Sequence, residues 1–267
     1  MGWLLYSFFA YICLIAIQQY RVRTIWALFL VGSLLGWLVE GVFALTTLGG
    51  TEMPFPISIP WTALAWHALA FILIWYGMLR VLATSTLKTL FATIGLGIFW
   101  GTWSLFWPTN TGDVATTTPD IFLLNGLLCT ALYILALQSY HFLTVQEFAA
   151  TKTEKIVLGV LLLSLYGMWT VPGGGIFMPL TLLPALFGIV YLGIRKNKKD
   201  ETEPNALTLI STNIPLWRSA ILLLAPCIAA LIFNTGVFVP TNFMYLFTLT
   251  TLGSLMFVVS LYKVMRR

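Results

Sequence analysis

The sequence predicts an all-α, polytopic bundle of membrane-spanning helices, and three observations lead there. Of the 267 residues, 59% are hydrophobic and only 9% are charged, against about 25% charged in ordinary soluble domains. Apolar runs long enough to cross a bilayer, roughly 20 residues each, follow one another along the chain. Basic residues recur after every odd-numbered run. A mean hydropathy of +0.92 leaves too little polar surface to cover a water-exposed globule.

Nine spans are expected, at 2–20, 24–48, 58–83, 87–107, 119–144, 155–171, 175–194, 214–234 and 241–263. The first lacks a basic leader before Met1-Gly2-Trp3 and ends in Arg21-Val22-Arg23 without a small-residue cleavage site, so it is expected to stay as an anchor. Tyr6 also stands where a myristoylation signal needs Ser or Thr. Spans six and seven are divided only by Pro172-Gly173-Gly174-Gly175. Glycine weakens a helix and supplies positive φ, which favours a tight reversal there. Pro179 and Pro184 keep open a second arrangement, one span plus a re-entrant segment over 155–194. Residues 195–213, which open on Arg195-Lys196-Asn197-Lys198-Lys199, form the one hydrophilic linker of note. Residues 1–267 are expected to form a single membrane domain.

Nine spans place all 14 Lys and Arg residues on one side. The positive-inside rule makes that side cytoplasmic, with the N-terminus outside, the C-terminus inside and 195–213 a cytoplasmic loop. The net charge of +5 is therefore a topology signal, and nucleic-acid binding, which needs a basic folded soluble face, is excluded. The expected location is the plasma membrane, with the bilayer as principal partner. Basic residues 195–199 can also attract anionic head groups.

The expected outer side carries no Lys or Arg and four acids: Glu52, Asp113 and Asp120 in or beside loops, and Glu40 inside span two. An ionisable group at membrane depth normally faces the bundle interior or a water-filled cavity, and marks a functional site. The helical rise puts Glu40 about 12 Å below the outer end of its span and His67, in span three, about 13 Å below its own. A low-dielectric setting penalises a full charge on either group, so the two are expected to share or relay a proton. The competing role is polar glue that pins helix packing. Trp37, Trp66 and Trp100 sit too deep for an interfacial aromatic belt and are candidates to line a pocket, as is Asn125.

No HExxH, GxSxG, P-loop or Rossmann pattern occurs, and two histidines are too few for a histidine-rich di-iron site. No cofactor or metal is expected. Cys13, Cys129 and Cys227 all lie in apolar runs and are expected to be buried packing thiols. The arrangement of Glu40, Thr47, Gly49 and Pro60-Trp61 resembles integral-membrane carotenoid hydratases and membrane terpene cyclases, over about forty residues. In those families a buried acid protonates an isoprenoid double bond among aromatic residues, so the resemblance implies that role for Glu40. Three functions are therefore expected candidates. The first is an intramembrane enzyme acting by acid/base chemistry on a lipidic or isoprenoid-like substrate, with Glu40 and His67 catalytic. The others are a small proton-coupled transporter and a non-catalytic subunit or binding module among other membrane subunits.

Overall fold

Helices lie over all nine expected intervals, and no strand occurs among the described residues. The computed structural model describes residues 2–49, 53–105, 117–142, 149–174, 178–196, 206–209, 213–237 and 239–266. The helices are α1 (Gly2–Gln19), α2 (Ile25–Phe43), α3 (Pro60–Thr84), α4 (Thr86–Ser104), α5 (Pro119–Phe142), α6 (152–174), α7 (Pro179–Lys196), α8 (Leu216–Phe233) and α9 (Thr241–Met265). Six of them, α2, α3, α5, α7, α8 and α9, are long and apolar enough to cross a membrane, which marks an integral membrane protein. Helices α1, α4 and α6 cover the other three intervals. Residues Glu52 and Asp113, expected on outer loops, lie outside the described residues.

Local signals start these helices. The Thr24 hydroxyl accepts from Ala27 N at 3.2 Å to cap α2, and Ser85 caps α4. Thr151 and Glu154 close a reciprocal capping box on α6, and Pro60 opens α3, where a missing N–H costs nothing.

The chain divides into two units. The first comprises Met1–Tyr76, Gln146–Thr208 and Thr248–Arg267. Its core is the apolar cluster of Ile17, Leu28, Phe29, Leu30, Trp37, Ala63, Val190 and Ile194 with their neighbours. Helix α1 runs antiparallel to α2: Cys13 Sγ faces Val31 O at 3.8 Å, and Phe9 packs with Leu38, Val39 and Val42. Helix α3 also runs antiparallel to α2, at very close range. A methyl group on Gly36 would stand 2.7 Å from Ala63 Cα, and one on Gly32 would stand 2.9 Å from Ala68 Cα.

Helix α6 rises beside α2 until Thr170 donates to Val42 O at 2.9 Å. The chain then returns. Leu183 packs on Gly41, and Leu30 on Gly193, so α7 descends along α2 from the level of Gly41. The helix of α6 continues through Pro172 to Gly174, beyond the position expected to break it, and residues 175–177 lie outside the described set. Part of the 195–213 linker is tied down, because Ala206 is buried and its N–H donates to Val22 O at 2.8 Å.

The second unit comprises Gly77–Val145 and Leu209–Phe247. Helices α4 and α8 run parallel, with Gly97 against Ala225 and Ile228, and Gly101 against Ala229 and Ile232. Helix α5 is antiparallel to α8: Phe122 stacks on Phe233 with ring centroids 4.6 Å apart, and at the opposite end Gln138 Nε2 donates to Ser219 Oγ at 3.2 Å. The start of α9 returns along α4, through Thr102 and Tyr245 hydroxyls at 2.6 Å.

The cysteines depart from expectation. All three are free, but only Cys13 is buried; Cys227 is half-buried and Cys129 is exposed on α5. An apolar run predicts the lipid-contacting and core faces of a spanning helix equally, because both solvents are apolar.

Candidate functional site

The site is built where α2 and α3 widen. The last turn of α2, Leu38–Phe43, is π-helical, as is the opening of α3, Pro60–Ala68. Such turns hold one residue more than an α-turn, which re-aims side chains, and they recur at functional sites. The end of α2 is held in place from α6. Thr170 caps the Val42 carbonyl, and Trp169 Nε1 donates to Phe43 O at 2.7 Å.

Glu40 and His67 meet here, with Glu40 Oε1 3.6 Å from His67 Nε2 and each side chain 17% exposed. The second carboxylate oxygen, Oε2, accepts from the Thr46 hydroxyl, which also lies 3.4 Å from Glu40 O. Thr46 can reach back because Leu45 adopts the left-handed conformation, φ 61°, and turns the chain over the helix end. Below it, Thr47 and Thr62 hydroxyls stand 3.2 Å apart, and Ser58 donates to Thr47 O at 2.9 Å, fastening this turn onto α3.

His67 has its own anchor. Its Nδ1 lies 3.0 Å from Thr62 O. A carbonyl only accepts, so Nδ1 carries the hydrogen. In the neutral ring Nε2 is then an acceptor, and it points at both Glu40 Oε1 and the Tyr6 hydroxyl, the latter at 3.4 Å. The Tyr6 ring stacks on the imidazole, with centroids 6.3 Å apart and planes inclined by 22°. One basic nitrogen thus faces two groups able to supply a proton.

Tyr6 is the member of the cluster that sequence reading missed. Helical rise puts it only about 6 Å from the start of α1, shallower than the level reckoned for Glu40 and His67, so depth did not group it with them. A tyrosine near a helix end reads instead as an interfacial anchor.

The aromatic candidates are dispersed. Trp37 is fully buried in the first unit's core, edge-on to Phe257 with centroids 5.4 Å apart. Trp66, beside His67 in sequence, packs edge-on to Trp61 at 5.1 Å. Trp100 belongs to the second unit, against Phe122 and over Gly126. Asn125, in the same unit, is exposed. Among the described residues no group of three or more His, Cys, Asp and Glu side chains is placed to hold a metal ion.

The chain matches no known family model, no curated protein and no solved structure. What it can do chemically therefore rests on the cluster itself. A carboxyl group, an imidazole with one fixed tautomer and a phenol in line can pass a proton among themselves with no movement larger than a side-chain rotation.

Proposed function

We propose that this protein crosses the membrane nine times, with its N-terminus outside and its C-terminus in the cytoplasm, and that Glu40, His67 and Tyr6 form a proton-transfer site in the outer half. The helix directions within each unit support the span count, because packed even-numbered helices run parallel and each odd-numbered helix runs against them. The one-sided distribution of Lys and Arg supports the orientation.

Intramembrane acid/base chemistry on a lipidic, isoprenoid-like substrate is the reading that suits this site, in a plasma-membrane enzyme. Its main support is the fixed tautomer of His67, which turns a basic nitrogen toward Glu40. A carboxylic acid in an apolar setting is a competent donor to a carbon–carbon double bond, and the apolar surroundings keep water from competing. Glu40 supplies the proton, His67 orients the carboxyl group through its acceptor Nε2, and Tyr6 bridges toward the start of α1.

The experiment compares lipid extracts of cells expressing the wild-type protein and Glu40→Gln, analysed by mass spectrometry. An isoprenoid species whose conversion requires Glu40 is the expected result. Identical lipid profiles from equally abundant, folded proteins would sink the enzyme. Identical profiles with loss of proton uptake into proteoliposomes in Glu40→Gln would point instead to a proton-coupled carrier, and loss of neither would leave a non-catalytic membrane subunit.

A further inference from the structure

A second polar feature stands in the other unit, where α3 ends and α8 begins. Arg218 Nη1 donates to Leu82 O at 2.9 Å, in the last turn of α3. The guanidinium lies over the Trp217 ring, 5.4 Å from its centroid, and Arg218 Nε is buried without a partner. An arginine carries five N–H donors in a rigid planar fork. One here is committed to a carbonyl and one is sealed, which fixes the plane of the group and leaves Nη2 for an acceptor outside the chain.

The surroundings specify that acceptor. Helix α8 is 18 residues long, so at ~1.5 Å per residue it rises about 27 Å, close to the ~30 Å hydrocarbon thickness of a bilayer. Arg218 lies in its first turn, at the level where apolar chains give way to head groups. Trp217 is 58% exposed and Leu216 is 60% exposed, a pair suited to the glycerol and upper acyl region. Arg80 and Lys88 flank the Leu82 anchor in sequence, so this end of the unit gathers three cations. The carboxylate of the unit's described residues is Asp120, at the opposite end of α5.

We propose that Arg218 is a binding site for the phosphate of an anionic phospholipid in the adjacent leaflet, with Leu82 O and Trp217 holding the guanidinium in place. The phosphate oxygens accept from the free edge of the fork, as planar bidentate recognition favours. Arg80 and Lys88 add attraction for a net-negative head group. The site is independent of the Glu40 cluster and of any activity there.

Native mass spectrometry of the purified protein, titrated with phosphatidylglycerol, phosphatidylcholine or inorganic phosphate, tests it. Wild-type protein is expected to retain phosphatidylglycerol in preference to phosphatidylcholine, without displacement by an equal concentration of inorganic phosphate. Arg218→Gln should weaken retention about tenfold, the worth of one charged hydrogen bond, while Lys155→Gln, an exposed basic residue of the other unit, leaves it unchanged. Arg218→Lys preserves the charge and the fold but cannot hold Leu82 O and a phosphate together, so it should also bind several-fold more weakly. Wild-type retention in Arg218→Lys would overturn the proposal. So would an equal loss in Lys155→Gln, which signals diffuse attraction, or displacement by inorganic phosphate, which signals a soluble ligand.

Discussion

Glu40 and His67 touch although their backbones sit at different levels of the α2–α3 pair. Gly36 faces Ala63, so α2 and α3 are in register at residues that precede each member of the pair by four positions in the sequence. On antiparallel helices Glu40 then lies above that crossing and His67 below it. Side chains on a helix incline toward its N-terminus. Glu40 therefore leans down and His67 leans up, and they close to 3.6 Å. The contact depends on backbone proximity at the crossing more than on either side chain.

Gly36→Ala is accordingly expected to damage the site from a distance. The new methyl group would stand 2.7 Å from Ala63 Cα and 2.8 Å from Ala63 O, both backbone atoms with no way to rotate aside. Overpacking of this kind costs about 1–3 kcal/mol. Thermal unfolding in detergent should show a lowered midpoint, while Gly95→Ala, which meets nothing within 4 Å, should not. An unchanged midpoint in Gly36→Ala would mean that the helices can part freely.

Glu40 and His67 were legible as a pair because charge is scarce in this chain, although the equal depths that helical rise assigned them give way to the Gly36–Ala63 register, which sets Glu40 above and His67 below. The apolar fold was legible for a similar reason, since length and hydropathy mark a spanning helix without tertiary information. Trp37 shows where such reading stops. Depth distinguishes a belt residue from a deep one, but a deep ring can face a pocket or the core, and the ring here is closed in by Phe257. The π-helical turns at Leu38–Phe43 and Pro60–Ala68 were invisible for another reason. The first is held by Thr170 and Trp169, which arrive from a helix more than a hundred residues away.

The capping box of α6 gives a pH dependence whose direction can be stated. Glu154, ahead of the apolar run, accepts from Thr151 N at 2.6 Å and Thr151 Oγ1 at 2.8 Å. The backbone bond first, and the hydroxyl second, hold its carboxyl below the usual carboxylate range. A depressed folded-state pKa stabilises the folded form above the unfolded value, and that gain disappears as pH falls through the folded value. Protection of the first-turn amides of α6, taken as exchange relative to the unstructured rate at each pH, should fall in acid in the wild type. Glu154→Gln should exchange faster at neutral pH and show little further change. Parallel profiles for the two proteins would contradict the cap.

Topology is open to single-cysteine labelling once Cys13, Cys129 and Cys227 are replaced, with Cys129 the most important because it is exposed. Cysteines introduced at 52 and 113 should react with an impermeant maleimide from outside, and one at 198 only after permeabilisation. Outside labelling at 198 would reverse the orientation. Labelling of 80 and 152 from opposite sides would break the even number of crossings between those basic clusters.

The tautomer of His67 is the most direct readout of the proposed proton site. The chain has two histidines, so His141→Gln leaves a single imidazole to follow by nitrogen NMR. At neutral pH, Nδ1 should appear protonated, because Thr62 O at 3.0 Å can only accept. Nε2 should then carry the signature of a hydrogen-bond acceptor facing Glu40 and Tyr6. Glu40→Gln replaces a proton-sharing acid with a neutral amide that can still donate, so Nε2 should remain an acceptor. Tyr6→Phe removes the second donor and should shift the Nε2 resonance without changing the tautomer. A neutral His67 protonated on Nε2 would place the hydrogen between two groups already able to donate and leave Nδ1 against a carbonyl with no hydrogen to offer. That result would be incompatible with the proton path from Tyr6 through His67 to Glu40.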